Sequence, residues 1–129
     1  MSKGTSSTPL GKVRGLGSAH HGGTHWLAER FSSVALLLLG LWFLASLIML
    51  PDLSRPTLLE WLRQPVPAVL MGLLVVSAFG HGLDGLKVVV DDYVHDEGSR
   101  IGIGFALTML AIFGGALALL ALAKIALGA

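Results

Sequence analysis

The sequence predicts an all-α integral membrane protein with three transmembrane helices. Three observations carry that prediction. Hydrophobic residues make up 53% of the 129-residue chain and charged residues only 13%, a balance far from that of a water-soluble domain. Phe31 to Leu50 is twenty residues without a charge, and Ile101 to Ala123 is twenty-three; each exceeds the ~18 apolar residues that mark a membrane span. Val66 to Val90 has room for a third crossing, uncharged as far as Phe79 and then carrying His81, Asp84 and Lys87. Lipid offers no partners for backbone N–H and C=O groups, so segments of this length and pattern must cross as helices.

The elements follow in order. Residues 1–24 are read as a flexible cytoplasmic segment, rich in Gly, Ser and His, with no acidic residue before Glu29. They lack the apolar stretch of a secretory signal and the Arg-rich amphipathic face of a mitochondrial transit peptide, which favours a bacterial inner-membrane protein. His20, His21 and His25 sit in a Gly-rich tail that supplies no fixed ligand geometry, and they are read as interfacial groups. Residues 25–129 form the membrane domain, with spans at about 28–50, 66–92 and 100–124. Trp26 and Trp61 occupy positions expected of an aromatic belt. Pro51, Pro56, Pro65 and Pro67 punctuate the first connection, within which Thr57 to Arg63 suits a short surface helix.

Charge and cysteine content narrow the chemistry. There is no cysteine, which excludes disulfides, thiolate-held iron–sulfur clusters and covalent haem attachment within this chain. No basic block points to nucleic acid. Lys3, Lys12, Arg14 and Arg30 precede the first span and Lys87 and Arg100 flank the second connection, against Arg55, Arg63 and Lys124 on the other side. The positive-inside rule then predicts a cytoplasmic N-terminus and a periplasmic C-terminus.

The most informative stretch is His81 to His95. An Asp or Lys at the centre of a span costs about 2.5–3.5 kcal/mol on insertion scales, so intramembrane ionisable residues are functional candidates. His81 and Asp92 are eleven residues apart, about three helical turns and ~16 Å along one face. That places a possible metal ligand near mid-membrane and an acid–phenol pair, Asp92 and Tyr93, near one interface. Gly82 and Gly85 flank His81 and clear space for a bulky planar group, and imidazole is an axial ligand for haem iron. Since no other histidine lies in a span, a bis-histidine haem would need its second ligand from another chain. The plain alternative makes His81 a hydrogen-bonded packing residue. Asp84, Lys87 and Asp91 follow helical steps expected of a salt-bridged strip. Small residues at four-residue spacing, Ala78 with Gly82 and Ala111 with Gly115, allow close helix contact.

Two motifs carry a resemblance to a known family. The first is His25, Trp26 and Arg30 leading into Ser32 and Ser33; the second is His81 followed by Asp92-Tyr93 and then Val94-His95. From about Gly15 onward the chain resembles the small hydrophobic membrane anchor of bacterial succinate dehydrogenase, respiratory complex II, most closely its alphaproteobacterial branch. The resemblance implies a helical bundle formed with a second, companion anchor, the pair carrying a flavoprotein and an iron–sulfur protein at the membrane surface. It implies that His81 is an axial ligand of a shared b-type haem, and that Tyr93 hydrogen-bonds ubiquinone with Asp92 beside it as a proton relay. Arg30 matches a basic residue near the haem propionates and the quinone pocket. Asp84 and His95 receive no role. Two other function classes fit the residues alone: a small proton-coupled transporter or channel component using His81, Asp84 and Lys87, and a structural assembly protein with no cofactor.

Overall fold

The computed structural model describes residues 22–128. They form four helices and no strand: α1 (Gly22–Met49), α2 (Arg55–Arg63), α3 (Pro65–Tyr93) and α4 (Glu97–Leu127). Helices α1, α3 and α4 are long and apolar enough to cross a membrane. At 28, 29 and 31 residues each is longer than the ~30 Å hydrocarbon layer requires, so the helix ends project into the headgroup zone. Helix and span are therefore different lengths here. The helices outrun the predicted spans chiefly in α1, which starts at Gly22, and in α4, which runs from Glu97 to Leu127, whereas α3 matches 66–92 to within one residue at each end.

Helix α3 is the centre of the arrangement. It packs against α4 on one side and α1 on the other, while the described residues of α1 and α4 make no backbone-level contact with each other. Among the described residues only Pro67, in the first turn of α3, is buried, and no large apolar side chain is. A water-soluble domain could not be stable in this state. In lipid the helices gain nothing by exchanging acyl chains for one another, and association relies on van der Waals fit and polar contacts. At the α3–α4 contact that fit comes from absent side chains: the Phe79 ring lies against the backbone of Gly114 and Gly115. Gly115 thus serves close packing as its spacing predicts, whereas Ala78, Gly82 and Ala111 line an open apolar groove between the same two helices.

The connections are tightly specified. Helix α2 begins two residues before the predicted Thr57 because Ser54 serves as N-cap and Pro56 fits the first turn, where a missing N–H costs nothing. Asp52 accepts from the Ser54 N–H at 2.8 Å and the Ser54 and Thr57 hydroxyls are 3.0 Å apart. Trp61 on α2 stacks on Trp42 of α1, ring centres 5.8 Å apart, with Phe43 at 6.4 Å. Trp61 is thus part of an aromatic cluster that ties α2 to α1. Only residues 94–96 separate α3 from α4. Asp96 caps α4 by accepting from the Ser99 N–H at 2.7 Å, and its hydrogen bonds with Ser99 hold its carboxyl below the ordinary carboxylate range. Gly128, with φ 73°, ends α4 in the left-handed conformation that glycine adopts without strain.

Candidate functional site

The site is built where α1 crosses the middle of α3. Ser32 Oγ lies 3.2 Å from His81 Nδ1, a contact between residues 49 positions apart in sequence. Ser32 Oγ also donates to the Glu29 carbonyl at 2.9 Å, and Ser33 Oγ donates to the same carbonyl at 2.7 Å. Back-bonding of this kind is how hydroxyls are satisfied on a lipid-facing helix. Around the contact is a groove of about 250 Å³ bordered by Glu29, Ser32, Ser77, Gly80, His81 and Asp84. On α3 the residues 77, 80, 81 and 84 follow helical i, i+3, i+4 and i+7 steps, so they share one face. At mid-helix this polar face is turned toward α1, while farther along α3 Lys87 and Asp91 border a second cavity against α4.

That division bears on two expectations, the space beside His81 and the charged strip, and an added Cβ at Gly82 or Gly85 would meet nothing within 4 Å. Gly80, not Gly82, is the glycine bordering the His81 groove; Gly82 lies on the α4 side. On the helix residue 82 is turned a further ~100° past His81, away from Ser77 and Gly80 and toward α4. Nor is there a salt-bridged strip. Among the described residues the one ion pair joins Arg100 to Asp91, at 3.8 Å, and neither Asp84 nor Lys87 takes part in one. Asp84 borders the His81 groove, whereas Lys87 lines a separate cavity with Val90, Asp91 and Arg100. The three residues of the transporter alternative are thus divided between two cavities.

The other candidates stand apart from His81. Asp92 and Tyr93 form the last turn of α3, both exposed, Tyr93 at 78%. Along an α-helix that is about 16 Å from His81. Arg30 belongs to the helical part of α1 rather than preceding it, and its guanidinium lies over the Trp26 ring, 5.2 Å from the centroid. Such a cation–π contact holds the guanidinium beside the ring one turn back on the same helix. His95 is exposed in the α3–α4 connection; His20 and His21 lie outside the described residues, as does the side chain of His25.

The donor set fits a haem ligated through one imidazole. A neutral histidine binds metal through one ring nitrogen while the other is hydrogen-bonded. Among the described residues His81 has a hydroxyl at Nδ1 and no protein partner at Nε2. Sequence inspection missed Glu29, Ser32, Ser77 and Gly80 as its neighbours. The periodicity of 77, 80, 81 and 84 was there to be read on α3, but nothing in one sequence reports which face of α1 it meets.

Comparison with known proteins gives this geometry its context. The family model described as succinate dehydrogenase/fumarate reductase transmembrane subunit matches residues 4–123. A succinate dehydrogenase hydrophobic membrane anchor subunit of Paracoccus denitrificans is 35% identical over 125 residues, 95% of this chain and 94% of its relative. The corresponding protein of Rickettsia bellii is 28% identical over 83 residues, covering 64% and 66% of the two chains. A succinate dehydrogenase membrane anchor subunit of Reclinomonas americana is 29% identical over 94 residues, covering 70% and 78%. With a family model spanning nearly its whole length and a three-span helical fold, the chain belongs to the succinate dehydrogenase/fumarate reductase transmembrane subunit family.

Proposed function

We propose that the chain is a hydrophobic anchor of a succinate:ubiquinone oxidoreductase in a bacterial inner membrane, sharing a b-type haem with a companion anchor and lining part of the ubiquinone site. The observation that carries this reading is the family match over residues 4–123. The chain alone does not oxidise succinate: a flavoprotein would do so, and an iron–sulfur protein would pass the electrons on. Reduction of ubiquinone to ubiquinol takes up two electrons and two protons. The residues of this chain serve the proton side and the binding of that reaction.

Tyr93 presents a phenolic O–H at the end of α3, a donor suited to a quinone carbonyl oxygen as negative charge develops there. Asp92, adjacent and exposed, exchanges protons with water and can pass them toward the same oxygen. With the N-terminus cytoplasmic, α3 runs inward and both residues meet the cytoplasmic interface, where protons are drawn. His81 would hold the haem iron through Nε2, the second imidazole coming from the companion anchor. Arg30, seated over Trp26, has N–H donors suited to a propionate or a quinone oxygen. When bound, the haem supplies a one-electron redox centre between the anchors.

Purification in mild detergent tests the assignment. The chain is expected with a flavoprotein, an iron–sulfur protein and a second anchor, and with reduced b-haem bands that His81→Ala abolishes while leaving membrane insertion intact, since alanine is well tolerated in a helix. A lone homo-oligomer would overturn the assignment. An unchanged low-spin spectrum in His81→Ala would remove His81 as the ligand.

A further inference from the structure

Ser32 Oγ stands between two partners, the Glu29 carbonyl on its own helix and Nδ1 of His81 on α3. A carbonyl oxygen can only accept, so the contact with the Glu29 carbonyl at 2.9 Å uses the single proton of the Ser32 hydroxyl. What Ser32 then offers His81, 3.2 Å away, is a lone pair. A lone pair there is matched by a proton on Nδ1, an arrangement that leaves the Nε2 lone pair bare. The reverse assignment, with Ser32 donating to Nδ1, would protonate Nε2 and leave it unable to ligate. Glu29 and Asp84 also border the groove, but among the described residues Ser32 is the only group hydrogen-bonded to the ring.

We propose that Ser32 is a positioning residue: its hydroxyl, aimed by the Glu29 carbonyl on its own helix, holds His81 in the Nδ1–H tautomer and keeps Nε2 directed away from α1 as a ligand for haem iron. This rests on the reading of His81 as a haem ligand. It gives the α1–α3 contact a chemical task in addition to packing. An acceptor at Nδ1–H makes an imidazole more electron-rich and favours the ferric state. Loss of the hydroxyl therefore raises the haem midpoint potential and frees the ring to rotate.

The test is a redox titration of the b-haem in the whole complex, with low-spin ferric resonance spectra, for wild type, Ser32→Ala, Ser32→Thr and Ser33→Ala. Ser32→Ala is expected to shift the ferric-to-ferrous ratio at fixed potential by about three- to tenfold, ~30–60 mV upward at 59 mV per decade, and to alter the resonance spectrum. Ser32→Thr keeps the hydroxyl and should restore both; Ser33→Ala, which touches the same carbonyl but not His81, should change neither. Should Ser32→Ala fail to assemble, Ser32→Val against Ser32→Thr isolates the hydroxyl at constant shape, and identical potentials and spectra in that pair would overturn the proposal. So would a wild-type potential and resonance spectrum in Ser32→Ala at full haem content. Loss of haem in His81→Ala alongside an unmoved Ser32→Ala would defeat the role of Ser32 alone, whereas retained haem in His81→Ala would defeat the underlying assignment.

Discussion

Phe79 on α3 occupies the space that a side chain at Gly114 on α4 would need: a Cβ there would stand 2.8 Å from Phe79 Cε1 and 3.2 Å from Cζ. The two helices approach as closely as they do because residue 114 has no side chain. This is one of the few places where the spanning helices interlock rather than touch along open grooves.

Gly114→Ala should therefore destabilise the α3–α4 pair, by about 1–3 kcal/mol as for other overpacked contacts, even though alanine is the better helix former. On a Phe79→Leu background the same change should cost little, because the ring it displaces is gone. Thermal unfolding of the purified complex for the four members of this double-mutant cycle measures the coupling. Additive effects, within about 0.5 kcal/mol, would show that the ring swings aside freely.

Tyr93→Phe should slow quinone reduction while sparing succinate oxidation by artificial acceptors that draw electrons upstream. The substitution deletes one hydroxyl and keeps the ring. Losing a donor to a developing oxyanion costs ~2.7–4 kcal/mol in an enclosed site; at the end of α3, near a water interface, the effect is expected to be smaller. Asp92→Asn should impair the same step, most at high pH where protons are scarce. Both activities are compared on the same membranes at matched haem content, and wild-type quinone reductase activity in Tyr93→Phe would end the hydrogen-bonding role.

Asp96 should support the start of α4 in a pH-dependent way. Its carboxyl is held below the ordinary range chiefly by the Ser99 hydrogen bonds, so the folded protein favours the ionised form more than the unfolded chain does. A depressed carboxyl contributes its full stabilisation above the ordinary carboxylate range and loses it as pH falls through the lowered value. The difference in thermal stability between wild type and Asp96→Ala should accordingly be largest near neutral pH and close on acidification. A gap that widened as pH fell would contradict the cap.

The spans were legible because three apolar stretches cannot be anything but crossings, and the surface helix because proline spacing and a following polar segment mark it. The extension of α4 back to Glu97 depends on the Asp96 cap, a local signal present in the sequence and passed over in favour of the charge boundary at Arg100. The salt-bridged strip failed for a different reason. Helical spacing brings Asp84 and Lys87 near one another, but α1 and α4 offer them separate grooves, and only the packed structure decides between neighbours along a helix and neighbours across it. The Ser32–His81 contact was beyond reach for the same cause. Its residues were both visible as motif members, yet their pairing requires knowing how α1 is rotated about its own axis.

The placement of α1 makes detergent a chemical variable. Helix α1 is held along the membrane by α3 alone and is clasped at its far end by the Trp42–Trp61 stack, while α3 and α4 are joined by a three-residue connection as well as by packing. Stripping away lipid is therefore expected to act unevenly: the hairpin of α3 and α4 is tethered at close range, and the joint expected to loosen first is the one containing Ser32 and His81. If Ser32 sets the tautomer of His81 as proposed, extraction that loosens α1 would disturb the histidine before the fold is dismantled, and a haem spectral change on solubilisation would then report a helix that has slipped, with every covalent bond and every span still in place.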